Sequence, residues 1–337
     1  MKKSLLILLF TCWALFFAAF RPVMPFAAET AAFPDGTPVT GGRILMGTIG
    51  EPSNLIPYMA SDSASGEITG LLYVAPLKYD KDLNVVPWAA ASHEVVEGGR
   101  FVLRDDIRWE DGVPLTADDV EFTYKLMIDP KTPTAYSGDF LAIESFKKTG
   151  RLSFEVRYAK PFARSLMTWM GAILPKHVLE GQDIMTTPVA RKPIGAGPYR
   201  LAKWDAGSML TLTASDTYFE GRPNLDEVVY RIIPDPSTMF LELKAGKLDM
   251  MSLSPQQYLR QTQGPQWERD WRKYRYLSFS YTFLGFNLEH PFFKDVRVRR
   301  AISMAIDRQS LIDGVLLGQG VPTVGPYKPG TWPITTS

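Results

Sequence analysis

Residues 279–314, FSYTFLGFNLEHPFFKDVRVRRAISMAIDRQSLIDG, join two kinds of local structure. Phe279, Tyr281 and Phe283 alternate along an extended run that passes Gly285-Phe286-Asn287 and turns at Glu289-His290-Pro291. Asp295 is placed to cap a helix, since its carboxylate can accept from the free N–H groups of the first turn. The apolar face of that helix is Val298, Ala301, Ile302, Ala305 and Ile306, spaced by three or four. Asp307 opens a second helical stretch, which Gly314 is expected to close through a positive φ. A strand-to-helix crossing of this kind is where one lobe can hand over to another.

Upstream, strands and helices alternate, which predicts an α/β sheet whose strand ends can line a cleft. Arg43–Thr48 reads as a first buried strand, followed by the loop Gly50–Tyr58, whose Pro52 and Pro57 exclude helix interior. Ser61-Asp62-Ser63-Ala64-Ser65 is an N-cap region for a helix carrying Ile68, Leu71 and Leu72. Asp80–Asn84 is a hairpin turn. A calcium loop is rejected there, because Val85 and Ala91 stand where Gly and Glu are needed. Arg100–Arg104 and Arg151–Tyr158 alternate as half-buried strands. Between them Thr116 and Asp119 form a capping-box pattern, and Asp118, Asp119 and Glu121 crowd the first turn, where the helix dipole favours acids. Capping explains these three carboxylates without catalysis. Further strands are expected at Tyr199–Trp204, around Leu210 and Leu212, at Val228–Ile233 and at Lys247–Met251. Asp235-Pro236 starts the intervening helix and Gly246 ends it.

Several of these segments together resemble the peptide/nickel-type (family 5) solute-binding receptors of ABC importers. Asn287-Leu288, the aromatic pair Phe292-Phe293, Asp295–Ala301 and Ala305–Arg308 are similar to the segment in which those receptors cross between lobes. Glu51-Pro52-Ser53-Asn54-Leu55-Ile56-Pro57, the run Arg104–Gly112 with its Trp109, Pro133–Ser137 and Gly195-Ala196-Gly197-Pro198-Tyr199 resemble further family motifs. The last of these is not a dinucleotide loop, since Arg200 stands where a third glycine is required and Pro198 blocks helix entry.

The resemblance implies an α/β, two-lobed, type II-like periplasmic-binding-protein fold with an inserted subdomain. Lobe I would take residues 43–77 and 195–278, the inserted unit 78–194, and the hinge with the start of lobe II 279–337. Gly285 and Asn287 are the hinge candidates. Ser61, Asp62, Ser63 and Tyr136 are the ligand-facing candidates. The implied partners are a peptide or other small solute and an inner-membrane ABC permease, with the receptor a monomer. Peptides lead because the family mostly binds them. A nickel chelate, sugar or opine receptor and a sensor-type binding module are the alternatives. Resembling proteins run well past residue 337, so the second lobe reads as incomplete and the chain as a fragment that need not bind by itself.

Composition agrees with that reading. Met1-Lys2-Lys3, the apolar run Leu5–Phe20 and the small residues at Ala27-Ala28 predict a signal peptide over 1–28 and export to the periplasm. Cys12 is the single cysteine and lies inside that run, so a processed chain has no disulfide, thiolate site or cysteine nucleophile. The 37 basic and 36 acidic side chains nearly cancel, against a nucleic-acid partner. His93, His177 and His290 are scattered and no hydrolase motif occurs, which predicts no enzyme, no cofactor and no metal site.

Overall fold

The computed structural model describes residues 38–94, 99–160, 164–278 and 280–326, so the predicted signal peptide lies outside the described residues. One compact unit reaches Ser252 and a second begins at Leu253.

The first unit contains two four-stranded sheets. β1 (Arg43–Thr48) is parallel to β10 (Glu227–Ile232), which pairs antiparallel with β9 (Met209–Ala214) and through it with β8 (Tyr199–Asp205). Every second residue of β9 is buried, whereas Val228, Val229 and Tyr230 are buried in succession on β10. Such runs mark a strand covered on both faces. The helix Pro236–Lys244 buries Met239, Phe240 and Leu243, with Asp235 capping it and Gly246 taking the positive φ after it. The expected strand at Lys247–Met251 is reduced to one bridge between Met46 and Met250. There the carboxylate of Asp249 accepts from the Leu45 N–H at 2.8 Å, a donor that a longer ladder would have given to a backbone carbonyl.

The second sheet orders β4 (Ala90–Glu94), β5 (Gly99–Leu103), β7 (Ser153–Tyr158) and β6 (Ile143–Lys148), all antiparallel. β2 (Leu77–Tyr79) and β3 (Val85–Pro87) form the predicted hairpin. Asp80 closes its turn by accepting from Asp82 N and Asn84 N at one oxygen and from Asn84 Nδ2 at the other, so both oxygens serve the turn. One continuous apolar core runs through both sheets of this unit, from Leu210 and Leu212 to Phe101 and Phe154.

The motifs read from sequence act as fasteners. Glu51 accepts from Trp204 Nε1 at 2.7 Å and from Gly207 N at 3.1 Å, and the Arg191 guanidinium lies 3.9 Å over the Trp204 ring. The Thr116 capping box forms as expected on the helix Ala117–Ile128. Asp119 also accepts from Lys176 N, Asp118 pairs with Lys148, and Glu121 with Lys125. Asp118 and Asp119 occupy the first turn as expected, whereas Glu121 lies beyond it and takes no part in the cap. Trp109 is fully buried, and its carbonyl accepts from Gly112 N in a turn where Gly112 has φ 88°.

Glu110 N donates to Gly195 O, and Glu110 Oε1 accepts from Gly195 N at 3.1 Å. Burial pushes the Glu110 carboxyl up, and the Gly195 N–H only partly opposes it. A raised carboxyl contributes stability that is full below its ordinary range and lost as pH rises through the folded value. Glu110→Gln keeps the acceptor and removes the charge. Its melting temperature at neutral pH is expected to exceed the wild-type value, with a flatter decline between mild acid and neutrality. A lower neutral-pH melting temperature in the variant would rule this out.

The second unit is helical among its described residues. A π-turn at Gln257–Gln261 is closed by Lys273 Nζ, which donates to the Tyr258 and Thr262 carbonyls. Asp295 and Asp307 cap the helices Val296–Ala305 and Arg308–Gly314 as predicted. The positive φ falls later than expected, at Leu317 and Gly318 rather than Gly314, where Gly318 N reaches back to the Ile312 carbonyl. Tyr281 and Phe283 stay exposed in an extended run with no strand partner among the described residues. The helix Val296–Ala305 has no buried residue, because nothing among the described residues covers its apolar face.

Candidate functional site

The first unit holds an open cavity of about 420 Å³. One wall is the helix Ser63–Leu72, through Ser65, Gly66, Thr69 and Gly70. Gly66 and Gly70 are four apart, so they share one face, and a Cβ at either would meet nothing within 4 Å. The opposite side is aromatic and sulfur-rich, with Tyr58, Trp88, Tyr136, Phe140, Met167 and Met170.

Tyr58 organises this side. Its φ is 74°, a conformation L-residues rarely adopt, and it is held at both ends. The Thr134 hydroxyl donates to its carbonyl at 2.8 Å, and its phenol donates to the Ala172 carbonyl at 2.8 Å. Burial pushes that phenol far above the usual tyrosine range. Gly171 lies against the hydroxyl so closely that a Cβ there would collide with it. The Tyr58 ring meets Tyr136 edge-on at 5.9 Å and Phe140 at 6.0 Å. Trp88 is fixed at its nitrogen, donating to Tyr218 Oη at 2.9 Å and to Glu220 Oε2 at 3.1 Å. Lys78 donates to both oxygens of the same Glu220.

Of the residues expected to face a ligand, Tyr136 lines the cavity and is 47% exposed. Ser61 and Ser63 are exposed and outside the lining. Asp62 caps the helix: it accepts from Ser65 N at 2.7 Å, Ser65 Oγ at 2.8 Å and Ser53 Oγ at 2.5 Å. Partial burial pushes its carboxyl up, but the bonds from Ser53 and Ser65 outweigh this and hold it below the usual range. Both Asp62 oxygens are thus engaged in joining the Gly50–Tyr58 loop to the helix. Gly285 and Asn287 lie in the second unit, well beyond its start at Leu253. Asn287 Oδ1 accepts from Glu289 N and its carbonyl from His290 N, which builds the turn before Pro291.

Tyr58, Trp88, Phe140 and Met170 were not singled out in the sequence. The signal available was the pair Gly66 and Gly70, two side-chain-free positions on one face of a helix that buries its other face. Among the described residues no group of three or more His, Cys, Asp or Glu side chains is placed to hold a metal, and no helix is long and apolar enough to cross a membrane.

Residues 84–337 match the family described as bacterial extracellular solute-binding proteins, family 5. The oligopeptide-binding protein AppA of Bacillus subtilis is 32% identical over 306 residues, which are 88% of this chain and 56% of AppA. Protein XP55 of Streptomyces lividans is 31% identical over 310 residues, covering 89% of this chain and 55% of XP55. The chain thus spans a little over half the length of these relatives. The solved structure of B. subtilis AppA with a nonapeptide superposes with a TM-score of 0.80 at 30% identity, over 89% of this chain and 61% of AppA's. NikZ of Campylobacter jejuni with Ni(L-His) gives 0.73 at 26% identity, over 82% of this chain and 55% of NikZ. The α/β fold is therefore that of the type II-like binding proteins, as the sequence motifs implied. The chain belongs to the family 5 bacterial extracellular solute-binding proteins.

Proposed function

We propose that this chain is part of an exported, periplasmic receptor that captures peptides for an ABC permease, and that the 420 Å³ cavity seats a ligand side chain. The observation that carries the reading is the lining. Small-molecule sites are concave and mostly apolar with a few placed polar groups, and here Tyr58, Trp88, Tyr136, Phe140 and Met170 supply the apolar surface. Similarity to an oligopeptide-binding protein supports peptides over the other solutes. In this reading the receptor is a non-catalytic monomer. Residues 43–77 and 195–278 form lobe I around the insertion 78–194, and the chain from 279 begins lobe II, with Gly285 and Asn287 as its hinge. Ser61 and Ser63, exposed beside the helix cap, would offer hydroxyls to a ligand backbone.

Gly70→Leu tests the seat. A leucine there projects into open space over the cavity, and replacing glycine within a helix raises helix stability by about 0.5–1 kcal/mol. The variant should melt no lower than the wild type, yet bind Ala-Phe-Ala at least about fivefold more weakly, the loss of roughly 1 kcal/mol of side-chain burial. Ligand-observed NMR at millimolar peptide reads both chains. Equal binding by the two, or none by the wild type, would overturn the proposal.

A further inference from the structure

Among the described residues that line the cavity, Asp139 and Arg164 are the only charged ones. They come from separate short elements. Asp139 lies on the helix Ser137–Leu141, between Tyr136 and Phe140, and Arg164 precedes the helix Ser165–Thr168. Arg164 Nη2 donates to Asp139 Oδ2 at 2.9 Å. The Asp139 side chain is 28% exposed and that of Arg164 58%, so the pair is partly desolvated and partly open to an incoming group.

We propose that the Asp139–Arg164 pair sets the charge preference of the cavity, making it a seat for uncharged, aromatic or large aliphatic side chains. The inference rests on the cavity being the ligand's seat. Opposite unit charges at hydrogen-bond distance cancel at a few ångströms beyond the pair, so neither a cationic nor an anionic side chain finds a net partner. Each would also give up hydration on entering the apolar lining. A neutral aromatic side chain loses no such hydration and meets the edges of Tyr58 and Tyr136 instead. The pair thus acts as a neutral polar rim whose removal on either side exposes one sign of charge. Asp139 uncovered favours a cationic side chain; Arg164 uncovered favours an anionic one.

The test uses the whole chain and three probes: the N-acetyl α-amides of phenylalanine, lysine and glutamate, titrated by ligand-observed NMR. The wild type is expected to bind the phenylalanine probe most tightly. Asp139→Asn should shift the ratio of lysine to glutamate affinities about threefold to fivefold toward glutamate, the scale of a partly exposed charge pair. Arg164→Gln should shift it by a similar factor toward lysine. Both shifts should shrink as salt is raised. Loss of packing alone would weaken the two charged probes together and leave their ratio unmoved. A phenylalanine probe that still binds Gly70→Leu as it binds the wild type overturns the seat, and this inference with it. A probe lost in Gly70→Leu, with an unmoved lysine-to-glutamate ratio in both charge variants, overturns the charge assignment alone.

Discussion

Gly195→Ala and Gly197→Ala are each expected to cost about 3 kcal/mol of stability, the upper part of the range for overpacking an interior. Both glycines lie against the C-terminal end of the helix Ser63–Leu72. A Cβ at Gly195 would run into the Leu72 carbonyl oxygen, and one at Gly197 would sit 2.6 Å from the Leu72 carbonyl carbon. The obstructing atoms are backbone, which cannot rotate aside as a side-chain tip can. The approach is also bonded: Gly197 N donates to Leu72 O at 2.8 Å, and Gly195 N to Glu110 Oε1 at 3.1 Å. Moving the Gly195–Gly197 segment away to admit a methyl group loses these bonds as well as the packing. Gly66→Ala is the internal comparison, since its Cβ meets nothing within 4 Å, and a gain of about 0.5–1 kcal/mol is expected. Urea unfolding of the three variants decides. Wild-type stability in either Gly195→Ala or Gly197→Ala would show that the helix end can give way.

That contrast also marks what the sequence could and could not convey. Gly195-Ala196-Gly197-Pro198-Tyr199 was legible as a motif, and Pro198 with the following Arg200 was enough to reject a dinucleotide loop. The reason for the glycines was not, because Leu72 lies far upstream and only the folded chain brings its carbonyl to them. Local features were read well for the same reason. The caps at Asp62, Thr116, Asp235, Asp295 and Asp307 are set by a side chain and the next three backbone N–H groups, and all five formed. Lys247–Met251 has the composition of a strand, but its fate depended on which acceptor the Leu45 N–H would find, and it found the Asp249 carboxylate rather than a backbone carbonyl.

The candidate site was legible only in part. Tyr136 was reachable from its motif, whereas Ser61, Asp62 and Ser63 belong to the start of the helix that walls the cavity farther along, at Gly66 and Gly70. Asp62 illustrates the ambiguity of an acid in a Ser-rich run: the pattern that offers a ligand contact is also the pattern of an N-cap, and the cap engages both oxygens. Trp88, Asp139 and Arg164 come to the site from three separate segments of the chain, so no spacing in the sequence could have joined them.

Trp169→Ala is expected to damage both the fold and the cavity. Trp169 is 3% exposed and sits where the second sheet meets the site. On the sheet side, Phe101 and Phe154 stack at 4.8 Å, and Phe146 stacks on Phe154 at 5.2 Å. The indole lies 5.3 Å from Phe101 and 5.1 Å from Phe154. On the other side it meets Phe140 edge-on at 6.4 Å, and Phe140 in turn supports Tyr58. Removing a buried tryptophan side chain costs about 3–5 kcal/mol, since the surroundings close only partly over the space it leaves. For a unit of this size that lowers the melting temperature by roughly 6–20 °C. The void opens directly behind Phe140, so the ring contacts that fix Tyr58 and Tyr136 loosen as well. Trp169→Phe keeps an aromatic body in the gap and should recover more than half of the loss. Calorimetric melting of the two variants, beside binding of Ala-Phe-Ala below their transitions, measures the two effects separately. Weakened peptide binding in Trp169→Ala at a temperature where it remains folded is the expected result. Wild-type affinity in that folded state would mean that Tyr58 is held by the Thr134 and Ala172 hydrogen bonds alone.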